Sequence, residues 1–598
     1  MAMHGDSIPG DSIPGYHGCY LRVDLTTGTS ERVPLGREML RDYLGGAGLG
    51  VAILQAEGAA CVDALSAEAG IAFVFSPLVG SPLTTSAKFA VVCKSPLTDR
   101  INDSLASSGF AIAGKRTGCD AIVLVGRADV PSVLVIDEQE VRLEPAKEIW
   151  GTTNSEAQSR LKESLGSDFR IASIGPAGER LVRYATISHD GRHAGRGGSG
   201  AVLGSKNIKA LAVRGTQTCD WADHDGLAEF AKRLSEKSFG PATAKYRELG
   251  TASNLLVFNR LNVLPTRNFQ RGSFAGAATL SPEQLGTVRK RTRASCAACT
   301  IGCEHIYSLD KSDKSGGVRL EYENLFALGP LCEVEDPEIV LKSSQLCDEL
   351  GIDTISAGGT IAFAMECAEL GYLDADWLRF GDGPALLRAL EEIATGTGLG
   401  PQLAQGSRRL AMEIGHDTIH FAPQVKGLEI PGYDPRGLQT MALGFAVGAR
   451  GADHNRSGAY EVDFSEEVDR RNVGPEAAAL AVETEDKAAL MDSLILCKFL
   501  RGVFTDFYAE AAEMLRLVTG WDVSAEELQA TAQRIVAAKK KFNIQAGWTP
   551  EEDTLPERML RQPLEDDSQA RLSSERLQGL IRAYNIARGW TPEGWLPD

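Results

Sequence analysis

The chain has 598 residues, 43% of them apolar, more than one ordinary core accommodates, so about two to four domains are expected. Its 62 Lys and Arg against 80 Asp and Glu leave a formal charge of -18; no Lys/Arg-rich run is expected to offset it, and a nucleic-acid backbone would be repelled over most of the surface. No stretch reaches the roughly 18 uninterrupted apolar residues that span a bilayer, and the start, MAMHGDSIPGDSIPG, lacks the basic and apolar regions of a secretion signal, so a soluble, cytoplasmic protein is expected.

The doubled GDSIP between Gly5 and Pro14 predicts an extended or disordered arm over residues 1–17. From Gly18 to Gly215 the segments CYLRVDL, GIAFVF, AKFAVVCK, DAIVLVG, SVLVID and KALAVRG, separated by Gly, Pro, Asn and Asp, predict a β-rich domain over 18–215 with glycine-rich loops. Helical periodicity follows in HDGLAEFAKRLSEK, PEIVLKSSQLCDEL and GPALLRALEEIATG, which predicts one helical domain over 216–427 and a second over 428–598. The expected fold class is α+β, a β-rich N-terminal domain followed by two mainly helical domains. The acidic, proline-bearing run near Pro550 to Asp567 and the final PEGWLPD read as surface wrapping.

Three of the twelve cysteines form one tight group, Cys296-Ala-Ala-Cys299-Thr-Ile-Gly-Cys303. Thiolates at C-x2-C-x3-C spacing can bind three corners of a cubane iron–sulfur cluster, the fourth coming from elsewhere. Structural zinc is the competing reading, but it usually pairs C-x2-C with a second such motif, which this chain lacks. Radical enzymes that use S-adenosylmethionine have the reverse order, C-x3-C-x2-C. Two further strings mislead. Gly109 to Arg116 nearly spells a P-loop, yet Arg116 stands where a hydroxyl must reach magnesium. Gly195-Arg-Gly197-Gly-Ser-Gly200 fits G-x-G-x-x-G, but HDGRHA before it is not an apolar strand feeding a dinucleotide turn. Its unhindered amides and Arg196 still suit the phosphates of another cofactor.

These strings, in the same order, resemble those of the aldehyde:ferredoxin oxidoreductase family. They are KSPLTD from Lys94, SIGPAGE from Ser173, GRGGSGAVLGSKN from Gly195, CAACTIGC from Cys296, then EYENLFALG, CDELGIDTISAGGT, YDPRG, RGADH and DSLILCK. The resemblance runs from Gly18 to Leu596. It implies a β-rich base for tungsten held by two pyranopterin dithiolenes, with molybdenum as the alternative metal, Mg2+ bridging the pterin phosphates, and a 4Fe-4S cluster beside them.

What the resemblance implies for single residues follows the family's two pterin motifs. The first is matched by Asp348-Glu-Leu-Gly351-Ile352-Asp353 and the second by Asp492-Ser-Leu-Ile495-Leu496-Cys497. Cofactor contacts are thereby expected at Asp348, Gly351, Asp353, Asp492 and Leu496, with Lys88, Arg196, Gly197 and Gly198 on the base. Cys296, Cys299, Cys303 and Cys497 are the implied cluster ligands. Ile495 departs from the pattern, standing where the family usually has Gly, and Lys88 stands where relatives often have Arg, keeping the charge without the planar fork.

Glu323 and His454 are the implied acid/base pair: a carboxylate can take a proton from water, and an imidazole titrates near neutrality and can hydrogen-bond a carbonyl. Asp453 and Tyr433 are expected to line the pocket. The Glu-x-x-His that binds an intersubunit iron in some relatives is replaced by Lys342-Ser-Ser-Gln345, so any homo-oligomer must be built without that metal. The activity implied is tungsten-dependent oxidation of a small aldehyde, with electrons leaving to ferredoxin or an iron–sulfur partner subunit. The alternatives are glyceraldehyde-3-phosphate oxidation, benzoyl-CoA reduction, or an electron-transfer subunit without chemistry of its own.

Overall fold

A computed structural model describes residues 13–138, 140–309 and 317–597. The GDSIP repeat falls almost wholly outside them. The end of the expected arm does not behave as an arm: Tyr16 is buried, its hydroxyl donates to the Leu44 carbonyl at 2.7 Å, and its ring lies 5.5 Å from that of Trp521.

Among the described residues, twelve strands precede residue 215: β1 (Cys19–Asp24), β2 (Thr29–Pro34), β3 (Ile71–Val74), β4 (Lys88–Lys94), β5 (Ile101–Ser107), β6 (Ala121–Val125), β7 (Ser132–Ile136), β8 (Val141–Pro145), β9 (Arg170–Ser173), β10 (Ile187–His189), β11 (Arg192–Ala194) and β12 (Ile208–Val213). They form two six-stranded sheets, β2-β1-β6-β3-β4-β5 and β11-β10-β9-β12-β7-β8. In each, one neighbouring pair is parallel, β1 with β6 and β7 with β12, and the others are antiparallel.

Strand alternation explains why the first sheet is apolar on both faces. In β4, Phe89, Val91 and Cys93 join a core with Leu134 and Leu211 of the second sheet, whereas Ala90 and Val92 point the other way, into a core with Leu49 and Leu54 of the Gly46–Ala56 helix and Ala532 and Phe542 of the Ala525–Gln545 helix. The first sheet is thus the middle layer, with the second sheet below and helices above.

The remainder is mainly helical and shares one large core that includes Leu325, Phe363, Leu390 and Phe445. A small sheet interrupts it, β13 (Arg291–Ala294), β14 (Glu304–Tyr307) and β15 (Val318–Arg319), in that order and antiparallel. The cysteine string Cys296–Cys303 is the connection between β13 and β14. The expectation of no basic run also needs correction here, because Arg289-Lys-Arg-Thr-Arg293 leads into that connection.

Candidate redox site

A cavity of about 930 Å3 opens where β5 and β11 of the base meet the helical part. Its wall includes Lys88, Arg196, Asp348, Asp353 and Asp492, the cysteines Cys296, Cys303 and Cys497, and both Glu323 and His454. Gly197, Gly198, Gly351, Leu496 and Cys299 stand behind that wall.

The glycines behind the wall are close-packing positions. Gly197 and Gly198 have φ of +83° and +79°. A Cβ on either would come within 2.0 Å of the Asn102 side chain or the Arg183 carbonyl. The G-x-G-x-x-G string does follow a strand, but a three-residue strand of an antiparallel hairpin, not the parallel strand of a dinucleotide fold. In the other misleading string, Lys115 turns inward and donates to the carbonyls of Gly15 and Ser76, both at 2.6 Å.

The four cysteines arrive from two chain segments that one loop ties together. Thr85 N–H donates to the Ala298 carbonyl at 2.6 Å, and Thr85 Oγ1 accepts the Cys497 N–H at 3.3 Å. Thr84 Oγ1 accepts the Thr300 N–H at 3.1 Å. Thr85 has φ +68°, a left-handed conformation that costs a β-branched residue on the order of 1–3 kcal/mol and persists where its surroundings demand it. The four cysteines lie near enough for their charges to interact, though among the described residues their side chains are not drawn into a ready metal-binding group: burial pushes the Cys303 thiol up, and Cys497, Glu321, Cys296 and Cys299 add to the shift. Burial opposes the charge of Arg192, yet Cys296, Glu304, Glu321 and Cys303 hold its guanidinium above the usual range. Neither Thr85 nor Arg192 carries a sequence signal of its own; both sit in unremarkable strings, TTSAK and DGRHA.

Along the cavity wall, with Asp103 and Lys539 behind it, runs an unbroken chain of buried ion pairs. Asp353 pairs with Arg196 at 3.4 Å, Arg196 with Asp453 at 3.8 Å, and Asp453 with Arg450 at 2.9 Å. Arg450 then reaches Asp103 at 3.7 Å, Asp103 also takes Lys539 at 2.7 Å and Arg456 at 3.1 Å, and Arg456 and Lys498 close on Asp492 at 3.1 and 2.8 Å. Burial opposes the ionised form of Asp103, but Arg456, Lys539 and Arg450 hold it well below the usual carboxylate range. At the other motif, burial likewise opposes ionisation of Asp348, and His193 at 3.2 Å with Arg319 holds it down.

This wall fits an anionic cofactor that also offers N–H groups. Five cations converge on four carboxylates, and the Asp492 oxygens, fully buried, face Arg456 and Lys498 without a well-directed hydrogen bond. Such groups are normally satisfied in a folded protein, so the Asp492 oxygens on this wall point to a ligand that would satisfy them.

Glu323 and His454 stand beside these charges on the same cavity. Glu323 lies in the first turn of the Tyr322–Leu328 helix, and its Oε2 accepts the Gly432 N–H at 3.1 Å. Glu323 Oε1 and His454 Nδ1 are 3.5 Å apart, too far for a hydrogen bond, and neither has another hydrogen-bond partner. Burial pushes Glu323 up to about 8, and burial with Arg196, Arg501 and Arg456 pushes His454 down to about 3. His454 therefore does not titrate near neutrality as its type suggests; the imidazole is held neutral by desolvation and three nearby guanidiniums.

Aromatic side chains close this end. Tyr433 stacks on His454 at 4.9 Å and on Tyr460 at 5.4 Å, and Phe258 stands edge-on to Tyr433 at 5.2 Å and stacks on Phe464 at 5.5 Å. Of these five, only Tyr433 and His454 fall inside the strings that sequence singles out.

A cysteine hairpin and a charged cradle opening on one cavity define a class: oxidoreductases with two adjoining redox centres. The chain belongs to the aldehyde ferredoxin oxidoreductase family, since the family's N-terminal domain matches residues 20–215 and its domains 2 and 3 match residues 227–598. It is 36% identical to the tungsten-containing aldehyde ferredoxin oxidoreductase of Pyrococcus furiosus, over 92% of each chain. An aliphatic sulfonate oxidoreductase, WOR-like subunit, of the same organism is 27% identical over 90% of this chain and 88% of its own. Among solved structures, the active site complex BamBC of benzoyl coenzyme A reductase aligns with a TM-score of 0.81 at 22% identity, covering 98% of this chain and 96% of that one, a likeness of fold.

Proposed function

We propose that this chain oxidises aldehydes to carboxylic acids at a tungsten–bis-pyranopterin centre and passes the electrons through a 4Fe-4S cluster to a ferredoxin-type carrier. The observation that carries the reading is the pair Glu323 Oε1 and His454 Nδ1, two buried, unpartnered atoms 3.5 Å apart on the cavity that the pterin-motif acids and three of the four cysteines also line. An electron-transfer subunit without chemistry has no use for such a pair.

Aldehyde plus water gives carboxylic acid, two protons and two electrons. The pterin-bound metal, when present, supplies the two-electron step, and Cys296, Cys299, Cys303 and Cys497 would hold the cluster that relays electrons singly. Asp348, Asp353 and Asp492 would accept pterin N–H groups, while Arg196 and Lys88 would meet its anionic edges.

The protein's part is proton handling and exclusion of water. The Asn455 side-chain amide lies 2.9 Å from His454 Nε2; with its N–H donating there, the ring proton sits on Nδ1, beside Glu323 Oε1, where it would be available to a substrate carbonyl. A neutral imidazole polarises a carbonyl without giving up its proton. Glu323, raised to about 8 by burial, is a strong carboxylate base once ionised and takes the proton from water at Oε1. The Tyr433, Tyr460 and Phe258 rings shield both groups and leave an apolar slot suited to an aryl or alkyl aldehyde.

The test is metal, pterin and iron analysis of the purified protein, together with turnover of aldehydes and of an aliphatic sulfonate using an artificial viologen acceptor. Aldehyde-dependent reduction in protein that contains tungsten is expected. Turnover of the sulfonate alone would move the chain to the reaction of its more distant relative.

A further inference from the structure

The cysteine hairpin is flanked on its outer side by an unusual surface for a chain of charge -18. Arg289, Lys290, Arg291 and Arg293 lead into and form β13, which is an edge strand exposed over Arg291, Thr292 and Arg293. Arg289 is spent on the Ser308 and Leu309 carbonyls. Among the described residues, Lys290, Arg291 and Arg293 have no carboxylate within ion-pair distance; the nearest strand's Glu304 is already taken by Arg192 and Arg319. Arg293 lies directly on the cysteine connection, since a Cβ on Gly302 would come within 3.3 Å of its Nε.

Exposed apolar groups lie at both ends of this strand. Val288 is 56% exposed immediately before the basic run, at the end of β13 away from the cysteines. On the other side, Ser238 Oγ bonds Thr300 Oγ1 at 2.7 Å, and the next residue, Phe239, is 55% exposed with the Arg247 guanidinium 4.3 Å from its ring centre. Among the described residues, Arg247 too has no carboxylate partner; it donates to the Thr243 hydroxyl and the Gly240 carbonyl.

We propose that this face, Val288, Lys290, Arg291 and Arg293 along the strand that leads into the Cys296–Cys303 connection, with Phe239 on the other side of that connection, is the docking surface for an acidic iron–sulfur electron carrier. The proposal rests on the reading that electrons leave through these cysteines. Charge complementarity selects the occupant: a carboxylate-rich carrier is repelled by a molecule of charge -18 and drawn to the basic residues that, among the described residues, stand without carboxylate partners beside the cysteine connection. Exposed Phe and Val supply the apolar contact that a transient interface needs at its centre. Unpaired Lys and Arg on an exposed sheet edge also keep that edge from pairing with another copy of this chain.

The experiment is aldehyde oxidation by the holoenzyme with two acceptors, a small viologen and an acidic 2[4Fe-4S] ferredoxin, across a range of ionic strength. In a Lys290→Glu/Arg291→Glu variant, the apparent KM for ferredoxin should rise on the order of ten-fold or more at low salt and lose its steep salt dependence. Viologen-linked turnover and iron content should not change. The neutral Lys290→Ala/Arg291→Ala variant should fall between parent and reversal. An unchanged ferredoxin KM and salt profile overturns the proposal, as does a change in oligomeric size without any change in ferredoxin kinetics, which would give the face to a second copy. Absence of viologen-linked aldehyde turnover in the parent would strike the functional reading instead; ferredoxin binding to parent and variant, measured by calorimetry, then decides the docking surface separately.

Discussion

Gly351 and Ile495 hold the same left-handed cap at the ends of two helices, Pro337–Leu350 and Ala477–Leu494, with φ of +76° and +64°. In each case two successive amides bond one carbonyl, Gly351 and Ile352 to Cys347, Ile495 and Leu496 to Met491. The two strings expected to contact pterin are thus one local structure used twice, and the acid or thiol that follows, Asp353 or Cys497, leaves the helix in the same way. Ile495 pays for its backbone with burial: it is 1% exposed, and its Cδ1 lies against Gly46, where a Cβ would come within 2.6 Å.

This conflict predicts an inverted order of stabilities. Ile495→Ala loses the buried side chain and keeps the left-handed strain, whereas Ile495→Gly loses the same burial and relieves it. Both should be less stable than the parent, but the Gly variant should exceed the Ala variant by about 1 kcal/mol, read from denaturant midpoints. An Ala variant as stable as the Gly variant would show that Ile495 is not strained. Gly351→Ala should be costly for a second reason, because its Cβ would sit 2.9 Å from the Gly175 nitrogen.

Asp103 is the junction of the buried charge chain, and removing one partner of a buried pair costs about 3–5 kcal/mol. Asp103→Asn should therefore lower the melting temperature at pH 7 and reduce cofactor content. The carboxyl is held below its unfolded value near 3.9, so its contribution is complete above that value and is lost as pH falls through the lower folded one. The gap between parent and variant should narrow below about pH 4. A gap of the same size at pH 3 and pH 7 would mean that the charge of Asp103 is not what matters.

The six strands expected from apolar segments are all strands, whereas β5, reading INDSLAS, gave no such signal. Its polar residues are buried, Asp103 among three bases and Asn102 beneath Gly197, because this edge of the sheet faces the cavity and not a core. Hydrophobic periodicity finds elements that pack on apolar neighbours and passes over those that build a polar site. The same reason hid β13 and β14, which carry the cysteine connection on charged, half-exposed strands. Site residues within local strings, such as Cys296 and Asp348, were legible. Thr85 and Tyr460 were not, since their roles come from contacts across the fold.

Cys497 joins the other three cysteines only through tertiary structure, held by Thr85 from the loop before β4. Cys497→Ala should lower iron content and alter or abolish the electron paramagnetic resonance signal of the reduced cluster, since a cubane takes four protein ligands. Thr85→Val, which removes the acceptor for the Cys497 amide, should leave the iron but shift that signal. An unchanged spectrum in Cys497→Ala would assign the fourth ligand elsewhere.

Glu323 and His454 carry the sharpest expectation, because burial drives their protonation in opposite directions from one cavity wall. With Glu323 raised to about 8, its carboxyl is mostly protonated at pH 7, and the base form grows as pH rises. Aldehyde oxidation should therefore increase with pH up to about 8, falling roughly ten-fold per unit well below it, since each pH unit changes the ionised fraction ten-fold there. His454, pushed down to about 3, stays neutral throughout and adds no limb of its own. Glu323→Gln should cost about 100- to 10,000-fold in kcat and flatten this profile while tungsten and iron contents are kept. His454→Ala should lower kcat by a similar order but retain the rise toward pH 8, because the base is still present. Measured kcat profiles of the three proteins with a viologen acceptor decide the matter: a rise that survives in Glu323→Gln assigns the base elsewhere, and a rise that vanishes in His454→Ala makes the imidazole, not the carboxylate, the titrating group.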